Sequence, residues 1–325
     1  MRRVAVCALG GTIAMRTAPG HDGVVPALTA HDLLESVDEL GDIAHVTAET
    51  LTSLPSASLA TDDVLRLLER AREQVRLGAD GVVVTQGTDT LEETAYLAHL
   101  LWDLPEPLVF TGAMRSPARA SADGPANLAA ACLVAVSDAA RGTGALVVMD
   151  DHVHEACWVQ KLHSTALGAF GSPARGPLGR VVEGRVELHR PARPSAPWPA
   201  PTWDPYVPLL ATHLGDDGRS LRALCDAGAH GLVVAAFGAG HVPAAVADGI
   251  EEAAEHVPVV IASRTRAGGT LRSTYGFEGS EIDLARRGAI LAGELDPAKA
   301  RLRLWLALAS GLPQDAIRDR FRNQT

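Results

Sequence analysis

Apolar residues in this chain fall into short continuous runs that alternate with longer amphipathic stretches. The run Val82–Val84 leads into Thr85 and is followed, after a glycine, by the helix-favouring stretch Leu91–Trp102. A β-branched run that stops at a glycine is typical of a strand buried inside a parallel sheet. The polar pair Thr88–Asp89 is therefore predicted in the turn between the carboxyl end of a strand and the start of a helix.

The same rhythm recurs through the first half of the chain. Further strands are predicted over Val4–Leu9, Pro107–Phe110 and Ala145–Met149, with helical stretches between them. Strands that alternate with helices predict a doubly wound parallel sheet. The alternating pattern of Arg180–Leu188 indicates antiparallel structure after it. Met15–Pro26 has no period and is interpreted as a flexible loop beside a candidate site.

A proline-rich stretch divides the chain. Residues 190–208 carry seven prolines and no periodic pattern, which is typical of an extended linker. After it the strand–helix rhythm returns, with strands predicted over Leu232–Phe237 and Val257–Ala262. We therefore expect an α/β protein of two domains: a large N-terminal doubly wound domain over 1–189, the linker 190–208, and a smaller C-terminal α/β domain over 209–325.

Composition narrows the class of protein. The 325-residue chain has a formal net charge of −10 and no basic stripe, which argues against a nucleic-acid partner. No run of about 18 apolar residues is present, so no membrane partner is expected. Four widely separated cysteines in apolar surroundings indicate free thiols, and hence a cytoplasmic protein.

Two threonine turns are the candidate sites of chemistry. In Gly10-Gly11-Thr12, glycines let backbone amides approach a bound oxygen and the threonine hydroxyl can point into the same space. In Thr88-Asp89, the hydroxyl would need a base to become a nucleophile. Each turn alone is also compatible with a purely structural role, as a tight turn or a helix cap with a capping threonine. The presence of two turns of similar design favours a site.

Lys161 is the candidate base. The chain has 29 lysines and arginines, but its only lysines are Lys161 and Lys299. A guanidinium cannot deprotonate in a protein, whereas a desolvated lysine can. Where arginine serves as the ordinary surface cation, a lysine in the first domain favours base chemistry over a plain surface charge. An aspartate beside it, such as Asp89, would orient the amine.

Cofactor and metal sites are not expected. His152 and His154 could both point to one face of a strand, but no second ligand pair stands at suitable spacing, so a solvent-facing strand edge is the preferred interpretation. Gly238-x-Gly240 follows a predicted strand, yet it lacks the third glycine and the acidic residue of a nicotinamide site.

Five motifs together resemble the bacterial-type L-asparaginase family. They are spread over nearly the whole chain in the family's order: GGTIA (10–14), TQGTDTLEETA (85–95), GAMR (112–115), SADGPANL (121–128) and LDPAKARLRLWLAL (295–308). The resemblance implies hydrolysis of the side-chain amide of asparagine, without metal or organic cofactor. It also implies a homo-oligomer, usually a tetramer built as a dimer of dimers, with sites shared between neighbouring subunits.

The resemblance implies a role for each matching position. Thr12 resembles the nucleophilic threonine, while Thr88, Asp89 and Lys161 resemble the group that activates the attacking atom. The expected substrate-binding positions lie partly in the first domain and partly in the second; they are Gly11, Ser56, Ala57, Gly87, Ala113, His241 and Glu281. Ser56 matches the serine for the substrate α-carboxylate, and Glu281 matches an acid offered to the ammonium in a neighbouring site.

The chain departs from the family in three places. The mobile loop lacks the family's tyrosine, and Gly23 stands about where it would fall. Ala57 replaces a glutamine that helps hold the ammonium, and His241 stands where an asparagine is common. A phenol suits the missing tyrosine's role, so Tyr275 is the preferred catalytic replacement; His21, whose ordinary pKa lies near neutrality, is the alternative.

Other functions compatible with these residues remain open. One is an amidase that acts on glutamine or on a larger or unusual amide, which Ala57 would allow. Another is a non-catalytic homologue that binds an amino acid and has lost turnover with its tyrosine. Retention of Thr12, Thr88, Asp89 and Lys161 favours catalysis, because a pure binding protein has no need of a lysine beside a threonine.

Overall fold

The chain folds into two compact units. The computed structural model describes residues 1–17, 22, 24–26, 28–191 and 197–322, and for residues 16, 17 and 24–26 it describes the backbone only. The first unit spans Met1–Pro197 and the second spans Trp198–Thr325. Both contain parallel sheets with helices between the strands, which confirms the predicted two-domain α/β class.

The N-terminal unit is built on one large sheet and two small hairpins. Its strands are β1 Arg3–Ala8, β2 Met15–Thr17, β3 Val24–Pro26, β4 His45–Thr50, β5 Gly81–Thr85, β6 Leu108–Thr111, β7 Ala145–Met149, β8 His152–Glu155, β9 Gln160–Lys161, β10 Phe170–Gly171, β11 Gly179–Val182 and β12 Arg185–Leu188. Its α-helices are α1 Ala30–Glu35, α2 Leu40–Ile43, α3 Thr61–Arg76, α4 Leu91–Leu101 and α5 Gly124–Ala135.

The order of the parallel strands places the candidate site. The large sheet runs β12-β11-β8-β7-β6-β5-β1-β4, and its strands from β4 to β7 are parallel. In chain order these five are arranged 2-1-3-4-5, so the winding reverses between β1 and β5. Ala8 and Thr85 end these two strands side by side. Open α/β sheets bind ligands at such a switch point, beyond the carboxyl ends of the strands.

Small residues let helix α5 lie close to the sheet. The helix carries alanine at five of its twelve positions, and nine of its residues are buried. A Cβ added at Gly81, in β5, would lie 2.1 Å from the carbonyl oxygen of Ala135. The alanine-rich sequence therefore reflects close helix–sheet packing, and a larger residue at Gly81 would push α5 outward.

Three sequence predictions about local structure were wrong. The loop predicted over Met15–Pro26 contains the paired strands β2 and β3. The helix predicted from Thr29 to Leu40 ends at Glu35, although Thr29 and Asp32 form the expected capping box. Strand β8 is not a solvent-facing edge, because it pairs with both β7 and β11 and buries His154. Antiparallel pairing on both sides hides a polar residue that its sequence pattern placed in solvent.

The C-terminal unit is a smaller parallel sheet. Its strands run in chain order across the sheet: β13 Leu209–Ala211, β14 Leu232–Ala236, β15 Val259–Ser263 and β16 Ile290–Leu291. Its helices are α6 Arg219–Asp226, α7 Ala244–Ala254, α8 Glu281–Arg286, α9 Pro297–Ala309 and α10 Gln314–Arg322. Every residue of β14 and β15 is buried, as continuous apolar runs predict for central parallel strands.

Candidate active site

The two threonine turns meet at the switch point because glycines remove the side chains that would separate them. Gly10 and Gly11 have φ values of +99° and +89°, which L-residues with side chains rarely adopt. A Cβ on Gly11 would lie 2.0 Å from the backbone nitrogen of Gly87. The turn after β1, which carries Thr12, is thereby held directly against the turn after β5, which carries Thr88.

Lys161 lies against Thr88 and Asp89. Its Nζ donates a hydrogen bond of 2.9 Å to Thr88 Oγ1 and one of 2.7 Å to Asp89 Oδ1. The lysine side chain is 16% exposed and the aspartate side chain 66% exposed, while Thr88 is buried. An amine, a hydroxyl and a carboxylate are therefore in contact at the rim of a partly desolvated site, where proton transfer between amine and hydroxyl is geometrically possible.

Lys161 reaches this site from a separate hairpin. Strands β9 and β10 pair with each other, with Phe170 opposite Lys161, and form a sheet of their own. The backbone N–H of Lys161 donates to a carboxylate oxygen of Glu92, in the first turn of α4. The motif that supplies Thr88 and Asp89 thus also binds the main chain of the lysine, 69 residues away. Nothing in the sequence marks Glu92 for this contact, because two acidic residues at a helix start are common.

Ser56 lies beside the second threonine turn. It begins a short 3₁₀ helix over Ser56–Ser58 and is buried. Its Oγ accepts a hydrogen bond of 3.2 Å from the backbone N–H of Asp89, and its carbonyl oxygen accepts one of 2.9 Å from Thr90 Oγ1. A Cβ on Gly87 would lie 2.6 Å from Ser56 Oγ. Ala57, the next residue, is exposed.

Ala113 lies in the third motif, which follows β6. It is buried, and the backbone N–H groups of Met114 and Arg115 donate to the two carboxylate oxygens of Asp123 at 2.9 and 2.8 Å. A Cβ on the preceding Gly112 would lie 3.4 Å from a methyl carbon of Thr88. This motif therefore packs against the Thr88 turn. The predicted nucleophile and the five substrate positions predicted in the N-terminal unit all lie on adjoining turns.

The remaining predicted residues lie in the C-terminal unit and contact each other. Glu281 is fully buried; its Oε1 accepts from the backbone N–H groups of Thr274 and Tyr275 at 2.8 and 2.7 Å, and its Oε2 lies 3.2 Å from His241 Nε2. Burial acts to raise the pKa of Glu281, but the hydrogen bonds from Tyr275, Thr274 and His241 outweigh it and hold that pKa below its usual value.

Tyr275 is half exposed and packs on the same cluster. Its ring meets the His241 ring edge-on, with centroids 4.8 Å apart, and the Phe277 ring contacts His241 in the same way at 4.9 Å. His21 and Gly23, the other positions considered for the missing tyrosine, lie outside the described residues.

Neither a metal centre nor a membrane segment is found in the described parts of the chain. Within those ranges no three His, Cys, Asp or Glu residues are grouped as metal ligands. His152 and His154 stack with ring centroids 6.0 Å apart, but His154 pairs with Ser172. The helices of the same ranges include none that is long and apolar enough to cross a membrane. A cavity of about 160 Å³ is lined in part by Ile13, and none of the predicted site residues is among its lining residues.

Comparisons with known proteins cover the whole of this architecture. The sequence profile described as "Asparaginase, N-terminal" matches residues 3–194, and the one described as "Glutaminase/Asparaginase C-terminal domain" matches residues 206–321. A probable L-asparaginase of Deinococcus radiodurans is 38% identical over 98% of this chain and 97% of its own. L-asparaginase 2 of Escherichia coli K12 is 33% identical over 98% of this chain and 92% of its own.

A solved structure agrees with these sequence matches. The crystal structure of a probable cytoplasmic L-asparaginase from Campylobacter jejuni superposes with a TM-score of 0.89 at 33% identity, covering 99% of both chains. The two sequence profiles, the relatives and the solved structure all indicate one family. The chain belongs to the asparaginase family of amidohydrolases.

Proposed function

We propose that this protein hydrolyses the side-chain amide of L-asparagine to L-aspartate and ammonia through a covalent threonyl ester. Thr12 Oγ attacks the amide carbon, its proton passes to the leaving nitrogen, and ammonia departs. Water then attacks the ester, which releases aspartate and restores the Thr12 hydroxyl. The reaction needs a nucleophile, a base and hydrogen-bond donors for the developing oxyanion, and no step needs a metal or a cofactor.

The observation that carries this proposal is the contact of Lys161 with Thr88 and Asp89. Lys161 Nζ lies 2.9 Å from Thr88 Oγ1, at the switch point that the Thr12 turn also lines. In its neutral form the lysine can accept a proton from the attacking hydroxyl through Thr88 or a water molecule. Asp89, 2.7 Å from the amine, orients it and stabilises the charged form that results.

An amino-acid substrate needs partners for its two charged groups. Ser56 Oγ, already a hydrogen-bond acceptor from the Asp89 backbone, can donate its own proton to the α-carboxylate. Asp89 is two-thirds exposed and can accept from the ammonium. The substrate main chain would lie along the turns that carry Gly11, Gly87 and Ala113. Glu281 and His241 would contribute to the site of a neighbouring subunit, with Tyr275 as its phenol.

This proposal also implies that the protein is a homo-oligomer, either a dimer or a tetramer. It follows from the division of the expected substrate positions between two units of the chain, since Ser56 lies in one and Glu281 in the other. We also propose a cytoplasmic location. All four cysteines are unbridged, and Cys7 and Cys132 are buried, which suits a reducing compartment.

A second candidate is an amidase for glutamine or for a larger amide. The exposed Ala57 favours it, because its methyl group cannot hold a ligand ammonium and leaves space beside Ser56. Comparison of asparagine, glutamine and N-substituted asparagines in one assay would separate the two. Turnover confined to the substituted amides would reject asparagine as the substrate.

Ammonia release from L-asparagine tests the main proposal. Thr12→Ala and Thr88→Ala should each lower kcat by roughly a thousandfold or more with the fold intact, because removal of a nucleophile or of its proton relay disables the whole unit. Rapid acid quenching followed by peptide mass spectrometry should find the aspartyl ester on the peptide that contains Thr12. Full activity in Thr12→Ala, or the ester on a peptide without Thr12, would reject this nucleophile.

A further inference from the structure

The hairpin of β9 and β10 is attached to the N-terminal unit in an unusual way. It carries Lys161, yet neither of its strands pairs with the large sheet. A two-stranded hairpin is marginally stable by itself. Its position must therefore depend on side-chain contacts with the rest of the unit, and two such contacts lie at its base.

The first contact is on the strand of the lysine. A carboxylate oxygen of Glu92 accepts the backbone N–H of Lys161, while Thr88 and Asp89 accept from its Nζ. The main chain and the amine of the lysine are thus held by groups only three or four residues apart in sequence, around one helix start. Glu92 and Glu93 are the only residues of α4 that are not buried, so the helix is anchored in the unit along its whole length.

The second contact is on the opposite strand. His154 Nδ1 and Ser172 Oγ share a hydrogen bond of 2.9 Å, which joins β8 of the large sheet to the residue directly after β10. Both side chains are buried, and His154 Nε2 has no hydrogen-bond partner among the described residues. The bond is therefore shielded from water and its loss would leave a polar group buried without a partner.

From this arrangement we propose that Glu92 is a positioning residue, which fixes the main chain of Lys161 so that its amine meets Thr88. The His154–Ser172 bond supports the other strand of the same hairpin. Glu92 touches no expected substrate atom and acts through Lys161. The consequence for turnover rests on the proposed amide hydrolysis, whereas the effect on the hairpin does not.

Hydrogen exchange and kinetics on three variants test the proposal. Glu92→Ala removes the acceptor, so amide exchange over residues 160–171 should accelerate. The same variant should lower kcat by about ten- to a hundredfold, the scale expected for small displacements of a catalytic group, with KM within about threefold. Glu92→Gln keeps an oxygen that can accept the Lys161 N–H and should restore most of kcat. Glu93→Ala is the matched control, since it removes the same charge from the same helix turn.

The outcomes separate the alternatives. Unchanged exchange and kcat in Glu92→Ala would overturn the proposal, and so would a Glu92→Gln protein as impaired as Glu92→Ala, since charge alone would then matter. If Glu92→Ala fails to fold, Ser172→Ala loosens the hairpin without touching α4 and should accelerate exchange over the same residues. If the native protein releases no ammonia from asparagine, the proposed function fails, while the exchange data still decide the role of Glu92.

Discussion

Lys161 Nζ and Thr88 Oγ1 lie 2.9 Å apart, although 73 residues separate them in the chain. The hairpin of the lysine and the turn of the threonine come from different parts of the N-terminal unit and meet beside the switch point of its sheet. Asp89 completes the contact at 2.7 Å.

Lys161→Arg should abolish turnover nearly as fully as Lys161→Met. An arginine keeps the positive charge beside Asp89 but cannot give up a proton, so both variants should lose roughly a thousandfold or more in kcat. Steady-state ammonia release measures the loss, and thermal unfolding checks that the fold persists. An arginine variant with a tenth or more of native activity would show that charge suffices and that the amine is not the base.

Gly11→Ala should damage both stability and activity. The added methyl group would lie 2.0 Å from the Gly87 nitrogen at a φ of +89°, so clash and backbone strain combine to cost about 2 kcal/mol or more. Gly176→Ala is a matched control, because its φ is +71° but nothing lies within 4 Å of the added carbon. Denaturant unfolding of both proteins should show a much larger loss for Gly11→Ala. Equal losses of stability in the two variants would mean that backbone strain at positive φ, and not the clash with Gly87, is the cause.

His154 should make the protein sensitive to acid. Burial, with a smaller effect from His152, lowers the pKa of His154 to about 4, whereas an unfolded histidine has a pKa of about 6.5. Between these values the unfolded state binds more protons, so stability falls as pH drops from 6.5 to 4 and is unaffected above that window. The full loss is about 3 kcal/mol.

Unfolding of His154→Leu at pH 7 and pH 4 measures this effect. The stability of the native protein relative to that of the variant should decline by about 2–3 kcal/mol over that interval, because the variant lacks the imidazole of His154 and the other titrating groups are common to both proteins. His152→Leu, at an exposed position in the same strand, should lose nearly as much stability as the native protein, because burial is the larger cause of the lowered pKa of His154. A constant difference between native protein and His154→Leu would contradict the prediction.

Tyr275→Phe should lower turnover by about tenfold or more, if the phenol replaces the tyrosine missing from the mobile loop. Tyr206→Phe is a suitable control, since the two tyrosines are 43% and 45% exposed in the same unit. His21→Ala should change kcat little. The reverse pattern would transfer the role to His21, and no effect from either change would mean that Thr88 and Lys161 activate Thr12 unaided.

Much of the site was predictable because its residues lie in local turns. A continuous apolar run predicts each buried strand. In a parallel sheet, the carboxyl ends of neighbouring strands such as β1 and β5 lie at the same edge. The threonines at 12 and 88 follow from that rule. The scarcity of lysine marked Lys161 as a candidate base, but no local pattern could place it beside Thr88, since the two belong to different elements.

Other features depend on long-range contacts that leave little trace in sequence. The burial of His154 follows from pairing of β8 on both sides, whereas its alternating neighbours favour exposure. The close packing of Gly11 against Gly87 cannot be predicted from the presence of glycines alone, because it depends on the positions of two backbone segments. Glu92 looks like one of two ordinary acids at a helix start, and its contact with the main chain of Lys161 is visible only in the folded protein.

The scarcity of lysine has a practical consequence for chemical modification. Of the two lysines, Lys299 is fully buried and paired with Asp296 at 2.8 Å, and Lys161 keeps 16% of its side chain exposed. Polymer coupling or immobilisation through amines would therefore find few targets besides the α-amino group. Any second label would fall on Lys161, and protection of that amine by added L-asparagine would test the proposed site directly. Attachment through carboxylates or engineered cysteines would leave this residue untouched.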